Sequence, residues 1–150
     1  QRPSSTDRPT GRRTVREQTA PEEIANAVTH GVGLMLSVAC LTVAVVYAAR
    51  HGTAKLIVSV AIYGATLCLL YLSSTLYHSL PPGRAKHILN ICDHSTIYLL
   101  IAGTYTPITL ALADQSGGWG WSLFGVGYGI GLAWLMAWLT VVGGRALGFA

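Results

Sequence analysis

The sequence predicts an all-α fold: a polytopic bundle of transmembrane helices, with four antiparallel helices in the 150 residues. Hydrophobic residues make up 51% of the chain and charged residues only 11%, against about 25% charged in an ordinary soluble domain. The mean hydropathy is +0.47. A soluble domain of this length needs a charged shell around its core, and these residues cannot form one. We therefore predict an integral membrane protein whose surroundings are the lipid bilayer.

The apolar residues are collected in four runs without a charge. Residues 31–49, 56–77, 95–113 and 115–144 contain 19, 22, 19 and 30 residues respectively. A helix needs about 20 residues to cross roughly 30 Å of hydrocarbon. We predict spans over about 31–49, 56–77, 95–113 and 119–142. The polar segments between them are short, so consecutive helices are expected to be antiparallel neighbours.

The basic residues predict both the domain organisation and the orientation. Residues 1–20 hold five arginines and few apolar side chains, which predicts a disordered basic tail before a transmembrane domain over 21–150. The tail, the second loop and the end of helix four carry eight Lys and Arg residues, and the first loop carries two. The positive-inside rule then predicts a cytoplasmic N-terminus in the cell (inner) membrane. No basic face exists outside the tail, which excludes a nucleic-acid partner.

Glycines in the fourth run are spaced for helix packing. Two overlapping pairs of small residues four apart, Gly125/Gly129 and Gly127/Gly131, lie within the apolar run. Such pairs allow close approach of membrane helices. A dinucleotide-binding loop is excluded here because no strand precedes these glycines.

Ionisable residues near the ends of the spans are the candidates for function. A charged group within a span costs roughly 2.5–3.5 kcal/mol on insertion scales, so its default interpretation is functional. In antiparallel hairpins, the start of helix one, the end of helix two and the start of helix three share one side of the membrane. These positions carry His30, His78, Asp93 and His94, with Glu22 and Glu23 just outside. We therefore expect one polar cluster near the inner leaflet.

The spacing of these residues along the chain is compatible with two interpretations of the cluster. Ser74 lies four residues before His78 on the same helix face, and it can bond either the imidazole or the carbonyl one turn earlier. A histidine with a carboxylate in reach is half of a zinc site, because zinc takes imidazole nitrogen and carboxylate oxygen. The alternative is a set of histidines satisfied by interhelical hydrogen bonds or lying at the membrane interface.

Four ordered motifs resemble a known family. They are Glu23-Ile-Ala-Asn26 followed by Thr29-His30-Gly31, the segment Tyr71-Leu-Ser-Ser74-Thr-Leu-Tyr-His78-Ser, Asp93-His94-Ser95, and the segment from Ile97 to Pro107. Over about residues 22–145 the chain resembles bacterial haemolysin III proteins, which belong with the adiponectin and progestin receptors. The resemblance implies a seven-helix fold with a zinc site near the cytoplasmic face.

The resemblance also implies roles for individual residues. His78, in the Ser-x-x-x-His motif, would be a zinc ligand, and Asp93 would lie next to the metal and its water. Asp93 and Ser74 are the candidate catalytic residues, and the supporting residues are His30, Glu23, Asn26 and His94. The other two zinc ligands of the family come from a His-x-x-x-His motif on the seventh helix, and these 150 residues contain no such motif. We expect the zinc site to be incomplete in this chain and to need the C-terminal helices of the same protein.

Three classes of function are compatible with these residues. The first is a zinc-dependent membrane hydrolase, in which zinc activates water; the family's eukaryotic relatives imply a lipid amide as the substrate. The second is a cytolytic or pore-forming protein, although the spans show no polar stripe beyond the predicted cluster. The third is a non-catalytic membrane receptor or regulator with structural zinc. Amide turnover, zinc stoichiometry and dye leakage from vesicles distinguish the three.

Overall fold

The computed structural model describes residues 18–113, 115 and 118–146, with side chains as far as 142, and contains four long helices. They are α1 (Ala20–His51), α2 (Ala54–Ser79), α3 (Arg84–Ala113) and α4 (Trp119–Ala146). Every regular element among the described residues is a helix, and all four are long and apolar enough to cross a membrane. The predicted all-α transmembrane bundle is confirmed. The predicted disordered tail lies almost entirely within residues 1–17, outside the described residues.

Helix α1 begins well before its apolar run. Thr19 caps it: the Glu22 carboxylate accepts a hydrogen bond from the Thr19 backbone N–H at 2.8 Å, within a capping box. This reciprocal arrangement satisfies backbone donors that a helix start leaves unpaired. Residues 21–28, which precede the first apolar run, are continuous with the membrane-spanning part of α1. The first turns of α1 therefore form a rigid extension that carries Glu23.

The contacts between α1 and α2 show that the two helices are antiparallel. Near the start of α1, Glu23 meets His78 of α2, and further along Ser37 Oγ lies 3.3 Å from Cys68 Sγ. The numbering rises on one helix as it falls on the other, so the two helices are antiparallel, as their two-residue connection requires. The start of α1 and the end of α2 thus lie at the same end of the hairpin.

The same antiparallel arrangement continues through α3 and α4. Ser73 Oγ of α2 lies 2.9 Å from Thr96 Oγ1 of α3, and Thr106 Oγ1 of α3 lies 2.6 Å from Tyr128 Oη of α4. Each helix packs against the next one in the chain, and no other pair of helices packs together within the described residues. The described part of the fold is therefore a row of four helices.

Small and hydroxylated residues occupy the helix interfaces. The buried polar side chains are Ser37, Ser59, Ser73, Ser74, Thr96, Thr106 and Thr109. Most of them bond a carbonyl three or four residues earlier in their own helix, as Thr109 does with Tyr105 at 2.7 Å. Many of the large apolar side chains are instead exposed, although Leu110 is buried. This distribution is the one expected where lipid replaces water, because burying leucine between helices then gains little.

The glycines of α4 divide into two faces. A Cβ at Gly127 would lie 3.2 Å from the ring of Tyr105, and one at Gly131 would lie 3.4 Å from Ala102. This pair packs against α3, as its spacing predicts. A Cβ at Gly125 or Gly129 would meet no described atom within 4 Å. Only one of the two small-residue pairs therefore forms a helix contact within the described part of the chain.

Candidate functional site

The ends of three helices meet in a group of ionisable side chains, here called the Glu23 cluster: Glu23, His30, His78 and Lys86. Glu23 lies in the first turn of α1. Its Oε2 accepts a hydrogen bond from His78 Nδ1 at 2.7 Å, and its Oε1 accepts one from Lys86 Nζ at 2.8 Å. The carboxylate therefore joins α1 to α2 and also to α3, although the backbones of α1 and α3 do not pack together.

His78 is more enclosed than either of the two charged side chains of the cluster. Its side chain is 9% exposed, compared with 20% for Glu23 and 15% for Lys86. The His30 ring stacks on the His78 ring with their centroids 5.7 Å apart and their planes 12° apart. Tyr77 covers a second side of the imidazole, edge-on at 4.7 Å. His78 is therefore held by one hydrogen bond and by ring contacts on two sides.

His30 carries a polar atom without a partner. Its Nδ1 is buried and makes no hydrogen bond among the described residues, while the ring also lies 6.0 Å from that of Tyr71. Buried polar groups are normally hydrogen-bonded, and an unpaired one marks either a missing partner or a functional group. The unpaired nitrogen belongs to a ring that stacks on His78, within the cluster that the sequence predicts to be functional.

Lys86 was not among the candidate site residues. It was interpreted only as one of the charges that set the orientation, whereas in the structure its Nζ contacts Glu23 and also donates to the Leu80 carbonyl at 3.1 Å. The ammonium lies 4.9 Å from the centre of the Tyr77 ring. A signal for this role exists in the sequence, because Lys86 follows the second loop and a carboxylate precedes the first span on the same side of the bundle.

Asp93 lies at nearly the same depth as His78. Thr96, opposite Ser73, bonds the Asp93 carbonyl at 2.8 Å, and residues three apart are neighbours on one helix surface. Asp93 lies three residues from the Ser73–Thr96 contact on α3, and His78 lies five residues from it on α2, both toward the same end of the bundle. At 1.5 Å per residue, the difference of two residues is an offset of about 3 Å along the helix axes. Asp93 is half-buried, and its carboxylate makes no hydrogen bond or ion pair with another described residue.

The remaining predicted residues are placed differently. Ser74 is buried, at 3% exposure, and the hydrogen bond of His78 Nδ1 goes to Glu23 instead of Ser74. His94 Nδ1 bonds the Asn90 carbonyl at 2.9 Å, and its ring stacks on Trp138 of α4 at 5.3 Å. Asn26 reaches Gln18 at 3.5 Å. Of the predicted residues, the structure brings His30, His78 and Glu23 into contact, whereas His94 and Asn26 make their contacts elsewhere.

The donor chemistry of the cluster fits part of a zinc site. No group of three His, Cys, Asp or Glu side chains among the described residues is arranged to hold a metal ion, and zinc sites use three or four protein ligands. His78 has one ring nitrogen bonded to a carboxylate, which is the usual second contact of a metal-binding histidine. Its Nε2 makes no hydrogen bond within the described residues. His78 thus fits zinc as one ligand, and further ligands must come from elsewhere.

The chain is similar in sequence to known proteins of one family. A family model described as "Haemolysin-III related" matches residues 18–147. The chain is 47% identical over 109 residues to "Hemolysin-3" of Bacillus cereus, covering 73% of this chain and 49% of that protein. It is 55% identical over 92 residues to "Hemolysin-3 homolog" of Bacillus subtilis (strain 168), covering 61% and 43%. No solved structure matches.

The match covers nearly all of the described residues and includes the Glu23 cluster. The aligned region is slightly less than half the length of the two Bacillus relatives. The expectation drawn from the motifs around Glu23, His78 and Asp93 is confirmed at the level of the family. With its row of four membrane-spanning helices, the chain belongs to the haemolysin III-related family.

Proposed function

We propose that the protein is a zinc-dependent integral membrane hydrolase that acts on lipid amides, with His78 as one zinc ligand. The observation that carries the proposal is the enclosed His78 imidazole, bonded through Nδ1 to the Glu23 carboxylate at 2.7 Å. Buried ionisable groups are expensive in a membrane and mark functional sites. Zinc, when bound, supplies a Lewis acid for the amide carbonyl and lowers the pKa of water to about 7.

The described residues have separate parts in this proposal. His78 would present its Nε2 toward the metal, while Glu23 and the His30 ring hold the imidazole in place. Asp93, whose carboxylate has no bonding partner among the described residues, would accept a proton from the attacking water and return it to the amine that leaves. Ser74, buried one turn before His78 on α2, would be the second catalytic candidate.

The surroundings of the cluster support an amphiphilic substrate. A cleft of about 400 Å³ next to Glu23 and Lys86 is otherwise lined mainly by Ile24, Leu80, Pro81 and Pro82. A charged pair bordered by apolar side chains suits a molecule with a polar head and a hydrocarbon chain. The outward-facing apolar residues of the helices give such a molecule access from the bilayer.

Zinc titration of the product of the complete gene tests this proposal. We expect one zinc per chain, and we expect His78→Ala to weaken binding by at least tenfold. His94→Ala is the control, because His94 contacts Trp138 instead of His78. The 150-residue chain alone should bind zinc weakly, since it supplies too few ligands. Tight one-to-one binding by this chain that His94→Ala abolishes would contradict the assignment of His78.

The name of the Bacillus cereus relative, "Hemolysin-3", motivates a second assay. Release of a trapped dye from phospholipid vesicles detects membrane lysis, and hydrolysis of a long-chain lipid amide by the zinc-loaded protein detects catalysis. We expect amide turnover that chelation removes, and no dye release. Dye release without turnover would favour a cytolytic protein, and zinc binding without either activity would favour a receptor or regulator with structural zinc.

A further inference from the structure

We propose that Glu23 is a positioning residue that fixes the tautomer of His78, so that Nδ1 carries the proton and Nε2 presents its lone pair. The inference deepens the proposed function, on which its consequence for zinc rests. Its own basis is the contact between α1 and α2, supported by Lys86 of α3. Glu23 reaches His78 from 55 positions earlier in the chain, and no other described residue forms a hydrogen bond with the His78 side chain.

The direction of the hydrogen bond follows from the chemistry of the two groups. An ionised carboxylate can only accept, so at 2.7 Å the Nδ1 of His78 must donate. A neutral imidazole has one N–H, and a proton on Nδ1 leaves Nε2 unprotonated. Which ring nitrogen binds a metal is set by the bond that the other nitrogen makes. The Glu23 contact therefore selects Nε2.

Lys86 determines how the carboxylate is presented. Its Nζ bonds the Oε1 of Glu23 at 2.8 Å while His78 takes the Oε2, so each oxygen has its own partner and the carboxylate plane is fixed. The ammonium also supplies the positive charge that balances Glu23. Glu23 therefore has a cationic partner other than His78. Lys86 itself is held by the Leu80 carbonyl at 3.1 Å.

The other described groups around His78 do not form a hydrogen bond with its ring, so Glu23 alone among the described residues can select the tautomer. His30 meets His78 face to face, with the planes 12° apart, a geometry that restrains the ring without forming a hydrogen bond. Tyr77 contacts the ring as an aromatic group, and the Ser74 hydroxyl makes no hydrogen bond with it. With the His78 side chain 9% exposed, water competes poorly for Nδ1.

The test is nitrogen NMR of the protein in lipid nanodiscs, labelled with ¹⁵N-histidine and treated with EDTA so that no metal holds the ring. At about pH 8 we expect His78 to show a single tautomer protonated on Nδ1. The His78→Gln variant identifies its signals. Glu23→Ala should shift the signals toward the Nε2-protonated form that a free histidine side chain prefers. Glu22→Gln, which changes the adjacent carboxylate at the helix cap, should leave them unchanged.

A second variant keeps the test decisive if Glu23→Ala fails to fold. Glu23→Gln has the same length, and its amide can either donate or accept, so both tautomers should become populated in a chain with wild-type helicity by circular dichroism. Either of two results would overturn the proposal. One is a wild-type His78 protonated on Nε2, and the other is a Nδ1-protonated tautomer that persists in both Glu23 variants.

Zinc titration of the same variants separates this proposal from the proposed function. We expect Glu23→Ala to weaken zinc binding by about 10–100-fold, the usual effect of removing the second contact of a ligating histidine. If the wild-type protein binds no zinc but the tautomer depends on Glu23, the zinc assignment fails and the positioning role stands. If zinc binds with equal affinity to wild type and to Glu23→Ala, the positioning role fails and the zinc assignment stands.

Discussion

Replacing Lys86 by methionine is the sharpest test of the Glu23 cluster as a structural link. Methionine keeps the apolar stem of the lysine and removes only the ammonium, so packing along Tyr77 is largely preserved. The change removes the 2.8 Å bond to Glu23, the 3.1 Å bond to the Leu80 carbonyl and the contact with the Tyr77 ring. It also leaves the Glu23 carboxylate, 20% exposed, with His78 as its remaining partner in the cluster.

The expected loss of stability follows from these three contacts. Interhelical hydrogen bonds in membrane proteins contribute about 0.6 kcal/mol on average and about 1.7 at most. A cation over an aromatic ring at a partly exposed site adds about 0.5–1 kcal/mol. With both hydrogen bonds at the average value, we expect Lys86→Met to lower the free energy of unfolding by about 1.7–2.2 kcal/mol. Combined with Glu23→Gln in a double-mutant cycle, it should show a coupling of about 0.6–1.7 kcal/mol.

Unfolding by SDS in mixed micelles, followed by helix circular dichroism, measures these free energies. The matched control is Arg84→Met, because Arg84 begins the same helix, carries the same charge and is exposed. It should change stability by less than about 0.5 kcal/mol. An equal loss in the two methionine variants would refute the reasoning. A coupling within about 0.3–0.5 kcal/mol of zero, as for independent sites, would do the same.

Two further predictions concern the helix interfaces and the orientation. A Cβ at Gly103 would overlap the Thr66 hydroxyl and lie 3.2 Å from the Thr66 Cβ, so Gly103→Ala should cost about 1–3 kcal/mol in the same unfolding assay. Adding Thr66→Ala should restore at least half of that loss, and no recovery would contradict this packing. Single cysteines introduced at Arg50 and Arg84, in a variant without native cysteines, report orientation in intact cells. An impermeant maleimide should label position 50 and leave position 84 unlabelled, and the reverse pattern would show that the predicted orientation is wrong.

The helices were predictable because the membrane imposes a length. Runs of 19 to 30 residues without a charge are long enough to form membrane-spanning helices. Each predicted span lies inside one helix. The helix ends were not predictable from hydropathy. Helix α1 starts at Ala20, eleven residues before its apolar run, because Thr19 and Glu22 cap it there. Capping depends on a few local hydrogen bonds, which an apolar pattern does not record.

The sequence predicts at which depth in the membrane the candidate site residues lie, but not the side of the helix on which each side chain points. The hairpin arrangement correctly placed His30 near His78, which stack in the structure. Adjacent residues on a helix point about 100° apart, so Asp93 and His94 could not both face α2, and His94 packs on Trp138. Lys86 was missed because its reach depends on a flexible side chain that bridges two helices whose backbones do not pack together.

The row arrangement of the helices has a consequence for biosynthesis. Because each helix packs on its predecessor, every interface among the described residues can form as soon as the later helix leaves the ribosome and enters the membrane. Glu23 and His78 both belong to the first hairpin, so their contact can form before any of α3 has been made. Lys86, in the first turn of α3, arrives afterwards. The cluster can therefore be assembled in two steps, in which the entry of α3 adds the Lys86 bond to a carboxylate that the first hairpin already joins to His78.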